Sequence, residues 1–140
     1  MVDDGISQTR PSLPRALTLA LRSQWLFLRV WFRVRRRPLP QVIAELGRVD
    51  RVRPPRTGPV RLGRIVSRAL SIGRYQVRCL YTSLVLFRLL HEQGVDADIV
   101  IGLPREPKDK DAHAWIEIDG RDVGPPPGRA HHVELARYGA

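Results

Sequence analysis

The chain is poor in the residues that cross-link or anchor a protein. Among its 140 residues there is one cysteine, Cys79. No intramolecular disulfide can form, which excludes a secreted disulfide scaffold and fits a reducing cytoplasm. Lysine is nearly missing, with only Lys108 and Lys110. Long clean apolar runs are missing too: LTLALRSQWLFLRVWF, residues 17–32, is interrupted by Arg22 and Arg29. A bilayer span would bury both charges at about 2.5–3.5 kcal/mol each on insertion scales, so a span is rejected. Residues 1–12 are polar and lack the apolar h-region of a signal peptide. There is no internal repeat, and no Walker-type or glycine-rich phosphate loop to support a nucleotide role. Cys79, His113, His131 and His132 do not show a metal-site spacing, so neither a metal nor a cofactor is expected.

What is present is apolar material and arginine. Hydrophobic residues make up 43% of the chain, enough for a real core in one compact domain. The formal net charge is +10, so the partners to consider first are acidic: nucleic acid, anionic lipid or an acidic peptide. The charge is uneven. Residues 13–37 hold seven Arg and no acid, whereas residues 96–122 hold eight acids against four bases. Nucleic-acid binding rests on net charge alone, because no recognisable motif or interleaved aromatic platform accompanies it.

Residues 1–12 read as a disordered tail. A helix then begins near Ser12 and Pro14 and runs to about Arg37, where Pro38 and Pro40 stop it. Arg15, Arg22, Arg29 and Arg36 recur every seven residues, with Leu17, Leu21, Trp25, Leu28 and Phe32 around the rest. This predicts a core-packed helix with a solvated Arg stripe. The sharper alternatives are an interfacial membrane helix or a docking surface for an acidic partner. A short helix around Gln41–Leu46 completes an N-terminal helical region, 13–49. Residues 50–63 form a linker loop rich in Pro, Gly and Arg, and residues 64–140 form the remaining core. Within it a helix is expected over 64–72, ended by Gly73, and another from Cys79 to about Gly94. A buried strand covers 96–103, a charged loop 105–111 and a second strand 113–118. An Asp119–Gly120 turn and a return over 121–124 follow. PPPG at 125–128 breaks regular structure, and a short tail, with a solvated His131–His132, ends the chain.

The chemistry concentrates on two residues. Cys79 stands at a predicted helix N-terminus, where free amide groups and the helix dipole favour a thiolate, with Arg74 and Arg78 close by. The same amides could form part of an oxyanion hole, and Gln76 could add a donor. His113 lies on the strand face shared with Trp115 and Glu117, opposite the core face of Ala114, Ile116 and Ile118. Placed over the helix start, it would take the thiol proton and later protonate a leaving amine. A buried, inert Cys79 and a half-exposed His113 packed on Trp115 are the plainer readings of the same residues.

The segments RCLYTSLVLFRLLHEQGVDADIVIGL and DAHAWIEIDG resemble the transglutaminase-like, papain-related peptidase of lasso peptide biosynthesis. In that family a Cys begins an apolar helix that ends in Gly. A strand follows, and then a strand reading H-A-W-hydrophobic-E. The resemblance covers about residues 62–124, and less specifically the helical pattern of 13–46. It implies an α+β fold: N-terminal helices plus a core with Cys at a helix N-terminus packed on a small antiparallel sheet. It also implies removal of the leader from a ribosomally made precursor peptide by a stand-alone peptidase. A separate small leader-binding protein would work with it, and a separate macrolactam-forming cyclase would follow. Cys79 would be the nucleophile and His113 the general base. The family's acid follows the His by about eleven or twelve residues, where this chain has Gly124 and Pro125. Asp122 is the nearest carboxylate on the return strand, but a regular hairpin places it roughly 13 Å along from His113. Asp111, Asp98 or a C-terminal group are the substitutes, as is a dyad. A non-catalytic basic module docking an acidic protein or an anionic membrane is the alternative function.

Overall fold

The computed structural model describes residues 13–49, 57–71, 79–106, 112–124 and 128–139. In chain order the elements are α1 (Leu13–Arg36), α2 (Leu39–Gly47), α3 (Pro59–Leu70), α4 (Cys79–Glu92), β1 (Asp98–Pro104), β2 (His113–Ile118), β3 (Arg121–Gly124) and β4 (His132–Tyr138). The strands form one antiparallel sheet in the order β3-β2-β1-β4. The architecture is α+β, as the resemblance implied.

α4 explains the arrangement. Residues Thr82 to Glu92 are buried almost all round, which a surface helix with one apolar stripe would not be. It lies between the sheet and the other three helices. Leu84, Phe87 and Leu90 meet Ile99, Ile116 and Ile118 of the sheet together with Leu26, Val30, Val42, Ile43, Leu62 and Val66 from α1–α3 in one core. One turn after Cys79, the buried Ser83 hydroxyl donates to the Ala114 carbonyl at 3.0 Å, which fixes α4 against β2.

Two proline-started helices shape the N-terminal half. α2 begins directly after Pro38, and α3 begins at Pro59, where a missing N–H costs nothing. α3 therefore starts inside the stretch expected to be linker and ends at Leu70, two residues short of the expected 72. Residues 1–12, 50–56 and Gly73 lie outside the described residues.

The expected orientation of α1 is corrected. Its inward row is Ser23, Leu26 and Val30. Leu17, Leu21, Trp25, Leu28 and Phe32 face outward, each 50–64% exposed. The Arg repeat is the reason. Arg22 reaches α4, where its Nε donates to the nearly buried Glu92 at 2.9 Å, and Arg88 holds the same carboxylate at 2.9 Å. Arg15 donates to the Thr57 hydroxyl at 3.3 Å. Turning Arg15 and Arg22 toward the body of the protein turns the Leu/Trp/Phe row away.

The hairpin behaves as a tight twisted turn should. Asp119 and Gly120 have φ of 51° and 77°, the pairing that suits two-residue hairpins. Glu117 pairs with Asp122 and Ile118 with Arg121, but a bulge then puts Gly124 opposite Ile116. The tail expected after PPPG is also corrected. HVELARY forms β4, whose Ile99, Ile101 and Leu103 partners on β1 are Tyr138, Ala136 and Val133, with an irregularity after Ile101.

Candidate active site

Cys79 is the first described residue of α4 and is half-buried. It is hydrogen-bonded to the His113 side chain. Burial pushes the thiol up, but the His113 hydrogen bond, contacts with the backbone of Ala114 and Leu80, and the charge of His113 together outweigh it. The thiol is held below its ordinary range. The pair opens on a cavity of about 600 Å³ lined by Leu39, Leu80, Ile101, Ala112 and Ala114 besides Cys79 and His113. The site thus joins one soft nucleophile and one titratable ring to an apolar wall. Arg74, Gln76, Arg78, Asp111 and Pro125 lie outside the described residues.

The face of β2 opposite the core is not open to solvent, contrary to the half-exposed pattern expected of it. His113 is half-buried, while Trp115 and Glu117 are each 1% exposed. Their cover is the C-terminal segment. Gly102 of β1, opposite His113, has no side chain, and the Trp115 ring occupies that space: a Cβ there would sit 2.9 Å from Trp115 Cη2. Gly128 lies over both rings, with a hypothetical Cβ 2.5 Å from His113 Cδ2 and 2.5 Å from Trp115 Cε3. His113 stacks on Trp115 with ring centroids 5.8 Å apart and planes 23° from parallel. His132 completes the group, 4.9 Å from the His113 ring and 5.9 Å from Trp115, with Nδ1 2.9 Å from the Gly128 carbonyl oxygen. His132 is therefore half-buried beside the site and not part of a solvated tail.

The buried Glu117 carboxylate is fully compensated. Trp115 Nε1 donates to Oε2 at 2.8 Å and Arg137 to Oε1 at 2.8 Å, while Arg129 lies 3.6 Å from Oε1. Arg137 also donates to Glu134 at 2.7 Å and to Asp98 at 3.1 Å. Glu134, then Glu117, hold the Arg137 guanidinium firmly in its charged form, and Arg137 holds the Glu134 carboxyl below its usual range.

The sequence-derived acids fall in different places. Asp122 spends both oxygens on backbone N–H groups: Oδ1 accepts from Gly124 at 2.8 Å, and Oδ2 from Gly128 at 2.7 Å and Arg129 at 2.8 Å. It meets His113 through Gly128, the residue that caps the imidazole. Asp98 pairs with Glu117 across the sheet and belongs to the Arg137 cluster. Asp119 is at the turn. Among the described residues no group of three His, Cys, Asp or Glu is arranged to hold a metal. No described helix is long and apolar enough to cross a membrane.

Trp115 and Glu117 belong to the HAWIE strand, whereas Gly128, His132 and Arg137 carry no motif signal. The one cue to His132 and Arg137 was HVELARY, whose alternation fits a strand that would bring both back to the sheet. Residues 23–136 match a family model described as the transglutaminase-like superfamily. No curated protein and no solved structure gives a significant match.

Proposed function

The chain belongs to the transglutaminase-like superfamily, and from that premise we propose that it is a cysteine peptidase removing the leader from a ribosomally made lasso precursor peptide. The superfamily often contains cysteine peptidases and transferases. The observation that carries the reading is the Cys79–His113 hydrogen bond at the mouth of an apolar-walled cavity, with the thiol lowered.

In this mechanism His113 holds the Cys79 proton and the thiolate attacks the scissile carbonyl carbon. The C–N bond breaks as the imidazolium gives its proton to the leaving amine, which becomes the new N-terminus of the core peptide. The leader stays behind as a thioester on Sγ. Water, deprotonated by His113, attacks that thioester, and the leader leaves as a carboxylate with the thiol restored. In this reading Cys79 stands at the start of α4, where helix-start N–H groups would face the developing oxyanion. Leu39, Leu80 and Ile101 would receive an apolar side chain of the substrate. Asp122 acts as a positioning residue in this reading: it anchors Gly128, and Gly128 holds the imidazole. A small leader-binding protein presents the precursor, and a separate cyclase uses the amine released.

The test is cleavage of a precursor followed by mass spectrometry, with the leader-binding partner present. Cys79→Ala should abolish cleavage while circular dichroism is unchanged, and Cys79→Ser should retain no more than a trace. Full cleavage by Cys79→Ala overturns the peptidase reading in favour of a non-catalytic basic module.

A further inference from the structure

The outward face of α1 is an apolar stripe that the fold itself does not use. Leu17, Leu21, Trp25, Leu28 and Phe32 are each at least half exposed. Steps of three and four residues align them along one side of a 24-residue helix, about 36 Å long. The core is served by the opposite row, Ser23, Leu26 and Val30. Contiguous exposed apolar surface of this kind marks a binding face.

The charge around the stripe is of one sign. Residues 13–37 contain no acid at all. Arg22 and Arg33 are engaged by Glu92 and Glu45 of the same chain. Arg29, Arg35 and Arg36 are exposed along the edge and C-terminal end of the stripe. The Arg36 guanidinium rides 4.2 Å from the Phe32 ring and that of Arg35 4.0 Å from Trp31, so cations and aromatic faces sit at one level.

We propose that α1 seats the protein on an anionic lipid surface. The helix lies in the plane of the interface, with Leu17, Leu21, Trp25, Leu28 and Phe32 at the acyl boundary and Arg29, Arg35 and Arg36 among the phosphates. A second copy of this chain fits less well, because the helix carries no acid and a two-fold pairing would offer its arginines no carboxylate on the facing helix. A protein helix needs charges of both signs, or a groove, to set register and direction. This face has neither, and a lipid surface requires neither.

The experiment is flotation of the full-length chain with vesicles of mixed phosphatidylglycerol and phosphatidylcholine, compared with pure phosphatidylcholine. Binding to the anionic vesicles should be roughly ten-fold tighter, and should weaken between about 50 mM and about 500 mM salt. Trp25→Ser with Leu28→Ser should lower binding by roughly ten-fold, since both side chains leave the apolar boundary. Arg29→Gln with Arg36→Gln should erase the preference for anionic lipid. These positions face solvent, so circular dichroism and the urea midpoint should not move in either variant. Equal binding to both vesicle types, no binding to either, or full binding by the Trp25/Leu28 variant overturns the proposal. So does a soluble dimer that this variant converts to monomer. None of these outcomes touches precursor cleavage, which tests the peptidase reading separately.

Discussion

Glu117 is the residue whose removal should reveal most about how the site is held. In Glu117→Ala the indole N–H of Trp115 is left buried with no acceptor, which costs about 1–3 kcal/mol. Arg137 loses one carboxylate but keeps Asp98 and Glu134, and its side chain is about one-third exposed. Its loss therefore sits at the low end for a charged hydrogen bond, about 1.5 kcal/mol. The space left by the carboxylate adds about 1 kcal/mol if it does not collapse. The expected cost is about 2.5–5.5 kcal/mol, a large share of the stability of a domain this size.

The comparison with Glu117→Gln isolates the indole bond. Glutamine keeps an oxygen for Trp115 Nε1 and loses only the charge toward Arg137 and Arg129, so its cost should be about 1–2 kcal/mol. Urea unfolding followed by circular dichroism reads both. At a slope of about 1–3 kcal/mol per molar, the alanine midpoint should fall by one to several molar. Alanine should also slow alkylation of Cys79, because Trp115 is the surface on which His113 stacks; glutamine should not. If alanine costs under about 1 kcal/mol, or the two variants cost the same, the buried carboxylate is not what holds the indole, and the ion cluster is worth nothing net.

Two further perturbations test the Cys79–His113 pair directly. Gly128→Ala places a Cβ 2.5 Å from His113 Cδ2 and from Trp115 Cε3, so a ring or the loop must move; cleavage should fall by roughly ten-fold or more with a modest loss of stability. A variant as active as the parent would show that the loop yields freely. Alkylation of Cys79 by iodoacetamide as a function of pH should have its midpoint below that of an ordinary thiol. His113→Ala should move the midpoint up, because burial is then opposed only by backbone contacts. The sign carries over to stability. A thiol lowered in the folded state contributes stability that is present above the unfolded thiol value and lost as pH falls through the folded one. An unchanged midpoint in His113→Ala would refute the electrostatic link between the two residues.

Local rules were enough for most of the elements. Pro38 and Pro40 mark the end of α1, Asp119–Gly120 marks the hairpin, and Cys79 to Gly94 has the length and apolarity of a buried helix, whereas the start of α3 at Pro59 falls in a stretch that reads as linker. The pairing of Glu117 with Asp122 follows from the turn alone. The bulge after it does not, since nothing local says that Ile116 will face Gly124. β4 was concealed by its polar composition. HVELARY carries a His, a Glu and an Arg within seven residues, and it reads as solvated until β1 supplies its ladder and Glu117 supplies a partner for Arg137.

The orientation of α1 was beyond periodicity for a different reason. Two apolar rows run along this helix, Leu19, Leu26, Val30 and Val34 on one side and Leu17, Leu21, Trp25, Leu28 and Phe32 on the other. Hydrophobicity alone does not choose between them. The choice is electrostatic and lies some seventy residues away: Glu92, nearly buried at the end of α4, needs cations, and Arg88 and Arg22 provide them. Once Arg22 faces α4, the smaller row is carried into the core and the Trp/Phe row outward. The same reasoning applies at β2. Alternation separates Ala114, Ile116 and Ile118 from His113, Trp115 and Glu117, but it does not say that the second face is also covered. Gly102 and Gly128 decide that, because two missing side chains let the indole lie flat between them and leave His113 at the rim, next to the sulfur.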